Sequence, residues 1–171
     1  MTIRAVLFDL DNTLTHRDQS ILAYSQYLAQ RYQHQLQPEQ ITQIQAIIRR
    51  IDNGGYPKKE FLTHPSIAAS VANALLQELK WHSLPELDEL TQFWFQQFGL
   101  SAVAMQGANQ LLTELKQQGY KLAVVSNGGH ATRLTILQGL GFSHYFDEIV
   151  SSELVGISKP NPEIFLHTSQ K

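Results

Sequence analysis

The feature that most constrains this chain is a short apolar run, Ala5-Val6-Leu7-Phe8, that stops at once in the polar turn Asp9-Leu10-Asp11-Asn12-Thr13. A continuous apolar run of this kind reads as a strand buried on both faces, the habit of parallel sheets. The pattern predicts a strand over residues 3–8. It returns far along the chain as a strand over 121–125, ended by Ser126-Asn127-Gly128-Gly129, and as a third strand over 146–150. Helical periodicity lies between them, from Ala108 to Gln118, closed by Gly119, and from Ala131 to Leu140, stopped by Gly141. Strands alternating with helices predict an α/β fold of βαβ units, with a parallel sheet and right-handed crossovers. A last short helix is expected after Lys159-Pro160, with Asn161 as its N-cap and Pro162 at its first position.

Between the first strand and Gly107 the period changes. Ile21, Leu22, Tyr24, Ser25 and Leu28 recur at helical spacing, and so do Ile41, Ile44, Ile47, Ile48 and Ile51. The segments 66–80 and 87–98 repeat the theme, with breaks at Pro38, Asn53-Gly54-Gly55, Pro57, Pro65 and Pro85. This predicts about four helices and no strand. The stretch is far too long for a simple crossover and reads as an inserted helical lobe. The expected division is a core of 1–16 and 100–171 with a helical insert of 17–99.

Composition narrows the function classes. The chain has 171 residues, 43% hydrophobic and 16% charged, as an ordinary globular protein does. Thirteen basic residues against fifteen acidic ones leave a net charge of −2, so no global basic field draws nucleic acid or an anionic membrane. No cysteine is present, which excludes disulfides, thiolate metal sites and cysteine nucleophiles. No stretch approaches the roughly 20 apolar residues of a membrane span. A soluble, cytoplasmic protein is expected.

In open α/β sheets, ligands bind beyond the carboxyl ends of the strands. Three polar clusters fall there: Asp9 with Asp11, Ser126-Asn127-Gly128, and Lys159. A carboxylate can attack phosphorus and form an aspartyl-phosphate, which splits one hard step into two easier ones. A second carboxyl can protonate the leaving oxygen and then deprotonate the attacking water. Two carboxylates repel a phosphate dianion, so a hard cation such as Mg²⁺ is needed. A positive partner is needed too, and Lys159 fits. The Ser126 hydroxyl and the backbone N–H groups of Asn127 and Gly128 suit the remaining phosphate oxygens.

On these residues the chain resembles the haloacid dehalogenase (HAD) superfamily. Asp9-Leu10-Asp11-Asn12-Thr13 is similar to its first motif, DxDx(T/V). Val124-Val125-Ser126-Asn127-Gly128 is similar to the second, and Gly156-Ile157-Ser158-Lys159-Pro160 to the third. The helical insert resembles the family's C1-type cap. The resemblance implies a Rossmann-like core and an Mg²⁺-dependent phosphatase of small phosphorylated metabolites. Asp9 would be the nucleophile and a metal ligand. Asp11 would be the general acid/base, with its carbonyl on the metal. Lys159 would steady the charge on Asp9 and the phosphate. Leu10, Thr13, Ser126, Asn127 and Gly128 would form the substrate side of the site. The cap would exclude water and select the leaving group.

The family's fourth motif, acidic residues after a fourth strand, has no counterpart before Lys171; Asp147, Glu148 and Glu153 stand before Lys159 in the chain. The resemblance then implies weak Mg²⁺ binding and low or absent turnover, and the chain reads as truncated after the third strand and its helix. An uncovered edge on the first strand would invite self-association. A second reading is a non-catalytic HAD-like protein that binds phosphate or a partner. His16 and His130 read as solvent-exposed. Arg49, Arg50, Tyr56, Lys58 and Lys59 read as a solvated basic cluster in preference to substrate contacts. Trp81 and Trp94 read as helix packing.

Overall fold

In a computed structural model that describes residues 3–170, the chain forms two units. One takes the chain up to His16 together with the chain from Ala102 onward, and the other runs Arg17–Ser101.

The first unit is built on three parallel strands, β1 (Ala5–Phe8), β2 (Lys121–Ser126) and β3 (Glu148–Ser151), in the order β1-β2-β3. Phe8 lies opposite Val124, and Ser126 opposite Ser151, so the strands end near one another on the sheet's carboxyl side. Alternation along β2 explains its apolar run. Val124 packs with Leu10, Leu112, Leu122, Leu137 and Phe142 on one face. Val125 packs with Val150 and Ile164 on the other. Successive strand residues point to opposite faces, so a strand covered on both must be apolar throughout. β2 meets that description, with every residue after Lys121 buried. β1 does not: Ala5 is exposed and Val6 to Phe8 are only half-buried, because β1 lies at an edge of the sheet.

The helices of this unit are α5 (Ala108–Gln117), α6 (His130–Leu140), α7 (Ser152–Val155) and α8 (Glu163–Ser169). The first strand is shorter than the sequence pattern suggests. The third starts two residues later, after the Asp147 carboxylate has accepted the Leu122 N–H. The expected loop after β3 holds a turn of helix, α7, whose first turn is capped by the Ser151 hydroxyl accepting the Leu154 N–H at 3.2 Å. At α8 the Asn161 carboxamide accepts the Glu163 N–H at 3.0 Å, while Pro162 already has helical dihedrals and stands at the cap position.

The second unit is all helical: α1 (Arg17–Arg31), α2 (Ile41–Asp52), α3 (Ile67–Glu78) and α4 (Leu87–Gln97), besides two short 3₁₀ turns. Its core gathers Ile21, Tyr24 and Leu28 of α1 with Ile44, Ile48 and Ile51 of α2, Val71 and Leu75 of α3, and Leu90 and Trp94 of α4. Trp94 stacks on Phe98, and burial pushes the Tyr24 phenol well above its ordinary range. A buried bidentate pair, Arg17 Nε and Nη2 to Asp52 at 2.8 and 2.6 Å, ties the start of α1 to the end of α2. Among the described residues no helix is long and apolar enough to cross a membrane.

Candidate active site

The turn after β1 is fixed from inside. The Leu10 carbonyl accepts the N–H groups of Leu14 and Thr15 at 3.0 Å, and both leucine side chains are buried. Asn12 takes the left-handed conformation, φ 56°, that a tight turn requires and that Asn tolerates. Anchored leucines therefore leave Asp9 and Asp11, which flank Leu10, as the polar face of the turn. The Thr13 hydroxyl donates to Asp9 Oδ2 at 3.3 Å. Leu10 is fully buried, and its side chain serves the core.

Lys159, from the loop after α7, reaches back across 150 residues and donates from its ammonium to Asp9 Oδ1. Its main chain is held in turn by Asn127. The Asn127 carboxamide donates to the Lys159 carbonyl at 3.0 Å and accepts the Lys159 N–H at 2.8 Å. Asp9, Asn127 and Lys159 therefore meet at the carboxyl edge of the sheet. Ser126 is buried at the end of β2, and its hydroxyl lies 3.1 Å from Arg133 Nη1. The same nitrogen donates to Asp11 Oδ2 at 2.5 Å and to the Asn127 carbonyl at 3.0 Å.

Two groups of the second motif have protein partners. The Gly128 N–H, expected to meet phosphate, donates to the Ser152 hydroxyl at 2.9 Å. The Asn127 side chain serves the lysine loop, as described. The N-terminal end of α6 is also engaged: the His130 N–H donates to Glu153 Oε2 at 2.7 Å. The His130 ring is half-buried and pairs with the Ser151 hydroxyl at 3.2 Å, not with solvent alone. In the helical unit Arg49 binds Asp18 bidentately and Arg50 binds Glu78, so both cations are partnered locally. Trp81 donates its indole N–H to the Leu75 carbonyl.

Arg133 is the site residue that sequence reasoning missed. It sits in the first turn of α6, where a cation opposes the helix dipole, and that mismatch was the available signal.

The donor set suits a hard cation in part. The Asp9 carboxylate is 38% exposed and, with a main-chain carbonyl at Asp11, offers oxygen ligands of the kind Mg²⁺ takes alongside water and phosphate. Among the described residues no group of three or more His, Cys, Asp or Glu is gathered to hold a metal. The fit is that of two protein donors completed by water and ligand.

Comparison with known proteins places this geometry. The fold is shared with the HAD-hydrolase YfnB from Bacillus subtilis bound to magnesium, at a TM-score of 0.64 and 24% identity, over 98% of this chain and 72% of that one. That likeness speaks for the fold alone. In sequence, 54 residues are 48% identical to a glyceraldehyde 3-phosphate phosphatase of Methanothermobacter thermautotrophicus, 32% of this chain and 24% of the relative. A further match, 46% over 57 residues, is to a phosphoglycolate phosphatase of Aquifex aeolicus, covering 33% of this chain and 27% of that protein. The matched region thus spans about a quarter of these curated relatives. The family profile for haloacid dehalogenase-like hydrolases extends over residues 3–171, and it is to that family that the chain belongs.

Proposed function

We propose that the chain hydrolyses a monoester of phosphoric acid with a small organic alcohol, through an aspartyl-phosphate on Asp9. The observation that carries this reading is the ion pair between the Lys159 ammonium and Asp9 Oδ1, which joins the first and third motifs. The two phosphatases matched in sequence act, by name, on small phosphorylated metabolites, and this supports the substrate class.

An Asp9 oxygen attacks phosphorus, and the bond from phosphorus to the ester oxygen breaks. The leaving oxygen takes a proton from the Asp11 carboxyl. Water then gives its proton back to Asp11 as its oxygen attacks the same phosphorus. The phosphorus–Asp9 bond breaks, and inorganic phosphate and the Asp9 carboxylate are restored. Lys159 offsets the negative charge that builds where carboxylate and phosphoryl group meet. The Ser126 hydroxyl is the donor proposed for a phosphoryl oxygen. Mg²⁺, held by Asp9 and the Asp11 carbonyl, would draw charge from the phosphoryl oxygens and so let an anion approach an anion. The helical unit is taken as the family's cap.

The test is hydrolysis of p-nitrophenyl phosphate with Mg²⁺ by the chain and by Asp9→Asn. Loss of a covalent nucleophile is expected to lower kcat by about 10³-fold or more. Activity untouched by the substitution refutes the assignment. A chain that binds phosphate yet never turns over supports the non-catalytic reading.

A further inference from the structure

Arg133 is buried, 7% exposed, in the first turn of α6. Two features set it apart from a packing residue. Its charge opposes the positive end of the helix dipole. Its Nε is buried and donates to no group among the described residues, and an orphaned donor costs stability. Removing one partner of a buried ion pair is costly, whereas replacing the whole pair by apolar side chains is often neutral or stabilising. Stability therefore does not explain why a guanidinium stands here.

Its contacts do. Helical side chains lean toward the N-terminus, so Arg133 runs back under the turn that precedes α6. There one nitrogen, Nη1, meets Asp11 Oδ2, the Ser126 hydroxyl and the Asn127 carbonyl. Nη1 has only two hydrogens, so three acceptors share them. The acceptors come from two motifs far apart in sequence. They include both groups that the proposed reaction needs beside the phosphoryl group, apart from the Asp9–Lys159 pair.

We propose that Arg133 is a positioning residue: it fixes the Asp11 carboxyl and the Ser126 hydroxyl relative to one another, and through them sets proton transfer and phosphate binding. This rests on the phosphatase reading above. Arg133 itself need not touch substrate.

The test uses the full chain with Arg133→Met and Arg133→Lys, each also combined with Asp11→Asn or Ser126→Ala. Groups that act as a unit show coupling, while independent groups show additive losses. Inorganic phosphate binding in the presence of Mg²⁺, followed by calorimetry, needs no turnover. Arg133→Met is expected to weaken it about tenfold alone but less than about twofold on the Ser126→Ala background. Turnover of p-nitrophenyl phosphate is expected to fall about 50-fold alone and less than about threefold on the Asp11→Asn background. The melting temperature falls with Arg133→Met alone, because the Asp11 carboxylate loses its Arg133 partner, and recovers on the Asp11→Asn background. Arg133→Lys, whose ammonium carries three donors, recovers part of the phosphate affinity. A role in the fold alone gives the reverse: the losses of binding and turnover persist undiminished on both backgrounds, and Lys rescues nothing. That pattern, or no loss at all, overturns the inference. The nucleophile reading fails separately, if Asp9→Asn remains active.

Discussion

At Gly128 the backbone has φ 122°, a region that side chains rarely enter, and a Cβ there would lie 3.3 Å from Arg133 Cζ. The glycine is needed for two reasons at once: the turn bends through that conformation, and the guanidinium packs against it. Gly128→Ala should therefore destabilise the chain by about 1–3 kcal/mol, read by denaturant unfolding. An unchanged midpoint would mean the turn relaxes freely. The sequence marks this glycine as part of a Ser-Asn-Gly turn, and in the structure its N–H donates to Ser152. A phosphate-binding N–H and an N–H held by Ser152 look identical in a string of letters, and only the placement of α7 decides between them. Asn127 is similar. Its pairing with the Lys159 backbone needs β3 and the loop after it to be in place. Asp9 and Lys159 were legible because a charged residue ending or following a buried strand in a parallel sheet has one edge to go to. Arg133 was harder to see: a cation in the first turn of a helix is a weak signal, and a lone arginine on a helix is ordinarily solvated.

Among the elements, the join between α5, β2 and the entry to β3 depends on one carboxylate. Asp147 accepts the Leu122 N–H at 2.9 Å and the Lys116 ammonium at 3.0 Å, with Lys121 at 3.4 Å. The backbone N–H of Leu122 first, and then Lys116, hold its pKa down to about 2 from 3.8. The folded value lies below the unfolded one, so the carboxylate's contribution is fully present above about pH 4. It fades as pH falls toward 2. Acid unfolding followed by circular dichroism should be shallower between these limits in Asp147→Asn than in the parent chain. Equal slopes would show that the contacts are not coupled to folding. The sequence pattern located β2, α5 and α6 to within a residue or two, because α5 and α6 each bury a stripe and β2 is buried throughout after Lys121. It overextended β1 and began β3 too early, because apolar letters beside a strand do not reveal where pairing stops. The turn of α7 was invisible for want of length: four residues cannot show a period.

For the molecule as a whole, the decisive fact is topological. A parallel sheet whose strands are widely separated in sequence returns their carboxyl ends to one side. That lets Asp9, Ser126 and Lys159 share one neighbourhood through direct bonds or through Arg133 and Asn127. The α/β class and the all-helical character of Arg17–Ser101 follow from the change of period along the chain. What period cannot supply is the cross-chain bonding that turns three motifs into a site. On the proposed mechanism the Asp9 carboxylate becomes covalently phosphorylated. Acid-quenching the chain during turnover of p-nitrophenyl phosphate, reducing it with borohydride and mapping the peptides tests this most directly, since an acyl phosphate is reduced to an alcohol. Reduction at position 9 alone, dependent on substrate, is expected. Reduction at another carboxylate, or none at all while phosphate is released, would contradict the mechanism.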